Sequence, residues 1–99
     1  QSFAFRGYLP AKTDERRSAL RGIEKQSATQ KQTQIFIETP YRNDSMLADI
    51  LQICQPGTRL CIAADITLED AFIKTQTVAQ WRKKTITIGK RPCVFLILA

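Results

Sequence analysis

Two acidic residues each follow a strand-like stretch of the sequence. Glu38 comes directly after the bulky, β-favouring run 35–37, and Asp65 follows the apolar run that ends at Ala64. The two carboxylates could lie side by side at one edge of a sheet, where such a pair can carry out acid–base chemistry. The sequence favours a structural role instead, because carboxylates commonly stabilise helix N-termini and form salt bridges.

Other kinds of catalytic chemistry find little support in the residues present. The sequence contains no histidine, so the commonest general base is missing and histidine-dependent triads are excluded within this chain. A glycine-rich phosphate loop and a nucleophile elbow are also missing. The cysteines Cys54, Cys61 and Cys93 form no C-x-x-C pair. We therefore expect no metal site, and we interpret the cysteines as reduced core residues of a cytoplasmic protein.

The charge balance favours a polyanionic partner. The chain of 99 residues has 15 Lys and Arg against 9 Asp and Glu, a formal net charge of +6. Nucleic acid is the partner that such a balance favours, and a basic but inert surface is the alternative. Tyr41 and Trp81 could stack on bases, although Trp81 on an apolar helix face is better interpreted as a core residue. The apolar run 94–99 is too short to span a membrane, and no secretory signal is visible.

The elements that must position these residues follow from apolar periodicity. The stretch 33–42 is the centre of the chain: a strand buried on both faces, then Thr39 as a helix cap and Pro40 in the first turn. Ligands in open α/β sheets gather at such strand ends. The order is β-α-β-α-β-β-α-β, an α/β layered domain with a mixed five-stranded sheet and flanking helices. We predict strands at 2–8, 33–38, 59–64, 71–74 and 92–98. We predict helices at 14–25, at 40–55 and around Trp81, and Thr77 should cap the last of these. The remaining segments should be a surface loop at 27–32, a polar connection at 65–70 and an exposed basic turn at 82–91.

Two further expectations concern the ends of the chain. Every position from 93 to 98 is apolar, so Val94 to Leu98 should form a central strand that is sequestered from water on both faces. The chain opens with Gln rather than Met, and it opens and closes on strand-like residues. We therefore expect a piece of a longer protein.

Several motifs in a fixed order carry a family resemblance. Phe-Arg-Gly-Tyr-Leu-Pro-Ala-Lys at 5–12 precedes Glu-Arg-Arg at 15–17, and Ile-Phe-Ile-Glu-Thr-Pro-Tyr-Arg at 35–42 precedes Leu-Ala-Asp at 47–49. This order resembles the carboxyl-terminal half of the tetrapyrrole methylase superfamily. The branch that it resembles most is that of the ribosomal RNA small-subunit methyltransferases I, which are 2′-O-methyltransferases.

The resemblance implies a two-domain methyltransferase with S-adenosylmethionine in the cleft between its domains. Residues 1–99 would be the carboxyl-terminal domain, and the glycine-rich cofactor loops and most catalytic groups would belong to an amino-terminal domain that this chain lacks. The 99-residue chain alone should then be inactive and bind the cofactor very weakly at best. The residues expected to hold the adenosine part are Ile37, Glu38, Ala63, Ala64 and Pro92.

The resemblance and the net charge together imply ribosomal RNA or the small ribosomal subunit as partner. Lys12, Arg16 and Arg17 are expected to form a surface patch that follows the RNA backbone, with Arg42 as a further contact. The chain departs from the family at Tyr41, where the family has His, and at Ala64 and Leu68, where it has Arg and Lys. The alternatives are a methylase of a tetrapyrrole-like or other small metabolite and a non-catalytic RNA-binding module. A homodimer is a possible assembly.

Overall fold

The computed structural model describes residues 2–66 and 68–99, which form one mixed sheet with helices packed against it. The elements are β1 (Ser2–Tyr8), α1 (Thr13–Gln30), β2 (Gln32–Ile37), a 3-10 turn (Pro40–Arg42), α2 (Asn43–Ile53), β3 (Arg59–Ala64), β4 (Phe72–Thr77), α3 (Val78–Arg82) and β5 (Cys93–Leu98).

The strand order is β1-β2-β5-β3-β4. Strands β1, β2 and β3 run in the same direction, because β1 is parallel to β2 and β5 is antiparallel to both β2 and β3. The predicted α/β fold with a five-stranded mixed sheet is confirmed.

The helices cover one face of the sheet and bury its apolar side chains. Phe36 and Phe95 stack in this core with ring centroids 5.6 Å apart. Strand β5 is central, as predicted, but only its alternate residues Cys93, Phe95 and Ile97 are buried. The prediction that Val94 to Leu98 is sequestered on both faces is therefore wrong. Its even-numbered side chains are half-exposed because no described helix packs on the second face.

Helix α1 is longer than its sequence pattern predicts. The predicted surface loop at 27–32 is wrong, because the helix continues to Gln30 and Ser27 is fully buried. The Ser27 hydroxyl accepts a hydrogen bond from the Ala99 backbone N–H at 2.9 Å. Ala28 and Gln30 have high helix propensity, and the buried Ser27 anchors this end of the helix without an apolar side chain. Lys31 in the left-handed conformation ends it. Of the helices described, none is long and apolar enough to cross a membrane.

The segment after β2 differs from the single helix predicted at 40–55. Pro40–Arg42 forms a 3-10 turn, and α2 then runs from Asn43 to Ile53. Thr39 occupies the cap position of the turn but makes no capping hydrogen bond. Its hydroxyl instead lies 3.3 Å from Glu38 Oε1. The Thr39 side chain, which was expected to cap the start of a helix, therefore contacts Glu38 instead.

The segment from β4 to α3 agrees with the local sequence signals. Strand β4 is longer than the predicted 71–74, and the predicted connection at 65–70 includes Thr67, which lies outside the described residues. Thr77 caps α3 as predicted: its hydroxyl accepts from Gln80 N at 3.1 Å, and Gln80 Oε1 accepts from Thr77 N at 2.9 Å. Trp81 is a core residue, as predicted, and its indole N–H donates to the Leu60 carbonyl at 2.9 Å.

Candidate functional site

A groove of about 580 Å³ opens at the edge of the sheet where β1, β2 and β3 end and β5 begins. Its floor is a row of side chains in register across neighbouring strands. Tyr8 lies opposite Ile37, Ile37 opposite Val94, and Val94 opposite Ala63. Since Val94 and Ala63 are compact and aliphatic, the floor is flat and apolar. Such a surface suits a planar aromatic ligand.

The predicted cofactor wall largely coincides with this groove. Ile37, Glu38, Ala63 and Pro92 line it, but Ala64 is fully buried in the helix-covered core. Successive side chains of a strand point to opposite faces, so Ala64 points away from the floor to which Ala63 belongs. The role of these residues toward a cofactor stays a prediction.

Sequence reasoning missed Tyr8 and Val94, which also line the groove, and Asp65 lines it although the sequence suggested it for a carboxylate pair rather than for the cofactor wall. The signal for Tyr8 was its place at the end of the predicted strand 2–8, which the structure pairs in parallel with β2. Val94 has no comparable local signal, because its place depends on pairing with strands that are distant in sequence.

Glu38 lies at the groove with its carboxylate turned into the protein. The residue is 6% exposed, and Oε1 accepts from Thr39 N at 2.7 Å. The other oxygen, Oε2, is buried without a hydrogen-bond partner and lies 3.5 Å from Arg16 Nη1. Through Arg16, the Glu38 side chain thus links the end of β2 to α1, and mainly the backbone of Glu38 faces the groove.

Arg16 is the hub of a buried ionic cluster. Its Nε donates to Asp49 Oδ2 at 2.7 Å, its Nη2 lies 2.6 Å from the same oxygen, and Nη2 donates to Ser45 Oγ at 2.7 Å. The residue is 2% exposed, so its predicted place in a surface patch is wrong. The physical reason is Asp49, a carboxylate within the buried face of α2 that needs a cation beside it. An acidic residue between Met46 and Ile50 was the sequence signal.

The other predicted RNA contacts do not form one free patch. Arg17 lies beside Arg16 with Nε 3.1 Å from Asp49 Oδ1, and its side chain is 33% exposed. Lys12 is exposed at the cap position of α1. Arg42 stacks over the Tyr41 ring, 5.0 Å from its centroid. The RNA contacts of Lys12, Arg17 and Arg42 therefore stay predictions, each for a separate position.

Asp65 lies across the groove from Glu38 with a strained backbone. Its φ is 53°, in the left-handed region, and its N–H donates to the Pro92 carbonyl at 2.9 Å. Oδ2 lies 3.5 Å from Arg91 Nη1. Strand β5 separates the two carboxylates, so the suggestion that they lie side by side is wrong. Each has its own arginine, which favours the salt-bridge interpretation over a shared acid–base pair.

The amino end of α2 holds the segment that leads into β5. Asn43 Nδ2 donates to the carbonyls of Gly89 and Arg91 at 3.1 and 2.6 Å. Asp44 accepts from Ile88 N at 2.6 Å and from Gly89 N at 3.1 Å. The predicted exposed turn at 82–91 is thus an anchored segment in which Ile88 is buried. Through Arg91 it fixes the wall formed by Asp65 and Pro92.

The cysteines are all free, and two are buried as predicted. Burial raises the pKa of the Cys54 thiol to about 12. Burial likewise raises the pKa of Cys93, which lines the groove, to about 12. Both thiols are therefore protonated and weakly nucleophilic near neutral pH. Cys61 is half-buried.

Comparison with known proteins gives one curated relative and one solved structure of note, while no family model matches the chain. The relative is the ribosomal RNA small subunit methyltransferase I of Pseudomonas aeruginosa. It is 29% identical over 98 residues, which cover 96% of this chain and 33% of the relative. The structure is the methyltransferase CobJ, with a TM-score of 0.59 at 16% identity, covering 99% of this chain and 41% of that one. The chain thus spans about a third of the relative's length.

These likenesses agree with the motifs at 5–17 and 35–49. The chain has the fold of the methyltransferase CobJ, and both likenesses agree with the predicted tetrapyrrole-methylase-type domain. Over almost its full length it is similar to the ribosomal RNA small subunit methyltransferase I, the branch that its motifs predict.

Proposed function

We propose that this domain forms one wall of the S-adenosylmethionine site of a methyltransferase, and that the complete enzyme methylates ribosomal RNA at a 2′-hydroxyl. The groove carries the proposal, because its apolar floor lies at the carboxyl ends of three strands of an α/β sheet. Ligands of such sheets bind at that edge. The similarity to the ribosomal RNA small subunit methyltransferase I supports the choice of acceptor.

The residues of the groove fit the adenosine part of the cofactor. Ile37, Val94 and Ala63 offer the flat apolar floor against which adenine would pack. Asp65, at the groove's rim, has carboxylate oxygens that can accept hydrogen bonds from amino or hydroxyl groups. Bound S-adenosylmethionine supplies an electrophilic methyl group. The work of this chain is to bind and orient the nucleoside, and the groups that act on the acceptor remain unassigned.

Ion pairs at two of the strand ends would keep this wall rigid. Arg16 holds Glu38 at the end of β2, and Arg91 approaches Asp65 at the end of β3. Both sides of the floor are thus tied to helices or anchored loops rather than left as free strand ends. A preformed wall reduces the entropy that a ligand would otherwise lose on binding.

Filling the floor tests the site. In the protein at its natural length, Ala63→Phe should weaken S-adenosylmethionine binding by at least about tenfold in isothermal titration calorimetry, because the added ring occupies the place of adenine. The matched control is Ile73→Phe, since Ile73 pairs with Ala63 on the same face but lies outside the groove. Equal affinity in the two variants would contradict the proposal.

A subtler variant tests the rim. Asp65→Asn keeps the size of the side chain and tolerates a positive φ, but it removes the negative charge. We expect affinity for S-adenosylmethionine to fall several-fold with unchanged circular dichroism. Unchanged affinity would mean that the Asp65 charge does not contribute to cofactor binding and that the apolar floor alone forms the adenosine site.

A small-metabolite methylase is the second candidate. The burial of Arg16 favours it, because the cation patch predicted to contact RNA loses its central member. Transfer of a radiolabelled methyl group to small ribosomal subunits, and none to a tetrapyrrole, is the expected result. The reverse pattern would establish the metabolite enzyme. A non-catalytic RNA-binding module would show RNA binding without S-adenosylmethionine binding. The isolated 99-residue chain should transfer no methyl group to either acceptor.

A further inference from the structure

A group of lysines lies along the outer edge of the sheet, away from the predicted RNA contacts. Lys74 is in the middle of β4, which is the edge strand, opposite Ile62 of β3. Lys83 and Lys84 directly follow α3, and the Lys84 N–H donates to the Trp81 carbonyl at 3.2 Å. All of these side chains are exposed. We call Lys74, Lys83 and Lys84 the lysine edge.

No described carboxylate neutralises the lysine edge. Within residues 2–66 and 68–99, the cations that form ion pairs are Arg16, Arg17, Arg42 and Arg91. Lys84 lies close enough to Lys74 to lower its pKa, through a side-chain hydrogen bond that requires one of the two amines to be neutral and through like-charge repulsion. When both amines are protonated they repel each other, and an anion that contacts both relieves the repulsion.

The backbone beneath the lysine edge is firmly held. Trp81 is buried, and the capping box of Thr77 and Gln80 fixes the start of α3. At the end of α3, the Arg82 guanidinium donates to the carbonyls of Leu51 and Cys54 at 2.7 and 2.8 Å. The lysines are therefore presented from a rigid base, so that a ligand loses only side-chain freedom on binding.

The lysine edge is connected to the groove's rim through Phe72 and Arg91, although Lys74, in register with the buried Ile62, lies on the face of the sheet opposite the groove's floor. Two residues back along β4 from Lys74 is Phe72, whose ring centroid lies 6.0 Å from the Arg91 guanidinium. Arg91 in turn lies 3.5 Å from Asp65 at the groove's rim.

We propose that the lysine edge is a contact surface for the phosphodiester backbone of RNA. Compact ammonium groups bind phosphates as point charges and do not read bases, so the surface would hold RNA without sequence preference. The choice of RNA as the polyanion rests on the proposed function. The surface is separate from Lys12, Arg17 and Arg42, and it gives a role to the basic stretch after α3 that the cofactor site does not use.

A pair of charge-matched variants tests the proposal in the protein at its natural length. Lys74→Gln with Lys84→Gln removes two charges from the lysine edge. Arg21→Gln with Lys25→Gln removes two exposed charges from α1. The probe is a fluorescently labelled single-stranded RNA of mixed sequence, about 20 nucleotides long, measured by anisotropy between about 50 and 200 mM salt.

The two variants should differ. The first should bind RNA roughly tenfold more weakly, and its slope of log affinity against log salt should be shallower by about 1.4, because two phosphate contacts are lost. The α1 variant should keep the wild-type slope. Equal slopes in both variants, or a shallower slope in the α1 variant alone, would overturn the proposal. S-adenosylmethionine binding, measured on the same samples, separates the outcomes: its absence refutes the methyltransferase assignment, whereas equal RNA slopes refute only the lysine edge.

Discussion

Two groups of basic side chains in this domain are in opposite situations. Arg16 is 2% exposed and contacts Asp49 through two of its nitrogens, whereas Lys74 and Lys84 are exposed and face each other without a carboxylate. The charge of Arg16 is neutralised within the fold, and the charges of the lysine edge remain available to a ligand. The position of acidic partners, rather than the number of basic residues, therefore decides which cations can bind a polyanion.

The largest expected effect follows from removing the buried cation, Arg16. Arg16→Ala removes the buried partner of the Asp49 and Glu38 carboxylates and leaves them only the more exposed Arg17 and Arg42, so we expect a loss of about 3–5 kcal/mol in the free energy of unfolding. Urea denaturation followed by circular dichroism measures it. Lys74→Ala is the control and should change stability by less than about 0.5 kcal/mol. Similar losses in both variants would contradict the distinction between the two groups.

The buried thiols make the free energy of unfolding depend on pH. The pKa of both Cys54 and Cys93 is raised from 9.0 to about 12, so the unfolded chain releases these protons before the folded protein does. The stability that they contribute is complete below pH 9 and is lost as pH rises from 9 to about 12. The upper limit of the loss is about 1.4 kcal/mol per pH unit for each thiol.

Urea titrations at several alkaline pH values check this expectation. Lysines and tyrosines titrate in the same range, so a variant with Cys54→Ala and Cys93→Ala is the required control. Its stability should fall less steeply with pH than that of the wild type. Parallel pH profiles would mean that the pKa of these thiols is the same in the folded and the unfolded protein.

The smallest expected effect concerns Asp65, at the rim of the groove. Asp65 has a positive φ and a half-exposed arginine as partner, unlike the fully buried Arg16 cluster. Asp65→Ala should cost about 1 kcal/mol because alanine is strained in the left-handed region, and Asp65→Asn should cost less because asparagine tolerates it. Thermal unfolding of the two variants gives the difference. If the two variants unfold at the same temperature, the positive φ at residue 65 does not strain alanine more than asparagine.

Sequence reasoning performs best where the signal is local. The bounds of β3 and the cap of α3 follow from an apolar run and from the Thr77–Gln80 spacing, and the structure matches both. The position of the groove also follows from strand ends and the family resemblance, since Ile37, Ala63 and Pro92 all line it.

The errors arise where distant segments meet. Arg16 is 33 residues from Asp49 in sequence, so its helix pattern alone suggests an exposed arginine. Val94 and Leu96 are apolar, yet their burial depends on what covers the second face of the sheet rather than on their own type. Asp65 and Glu38 follow strands that run in the same direction, but the strand between them comes last in the chain.

The central claim is that the groove holds the adenosine part of S-adenosylmethionine. Hydrogen–deuterium exchange with mass spectrometry, on the protein at its natural length with and without S-adenosylmethionine, tests it most directly. We expect slower exchange in peptides that span 37–40, 63–66 and 92–94, and unchanged exchange at 74–84 on the lysine edge. Protection elsewhere with none in the three groove segments would contradict the account.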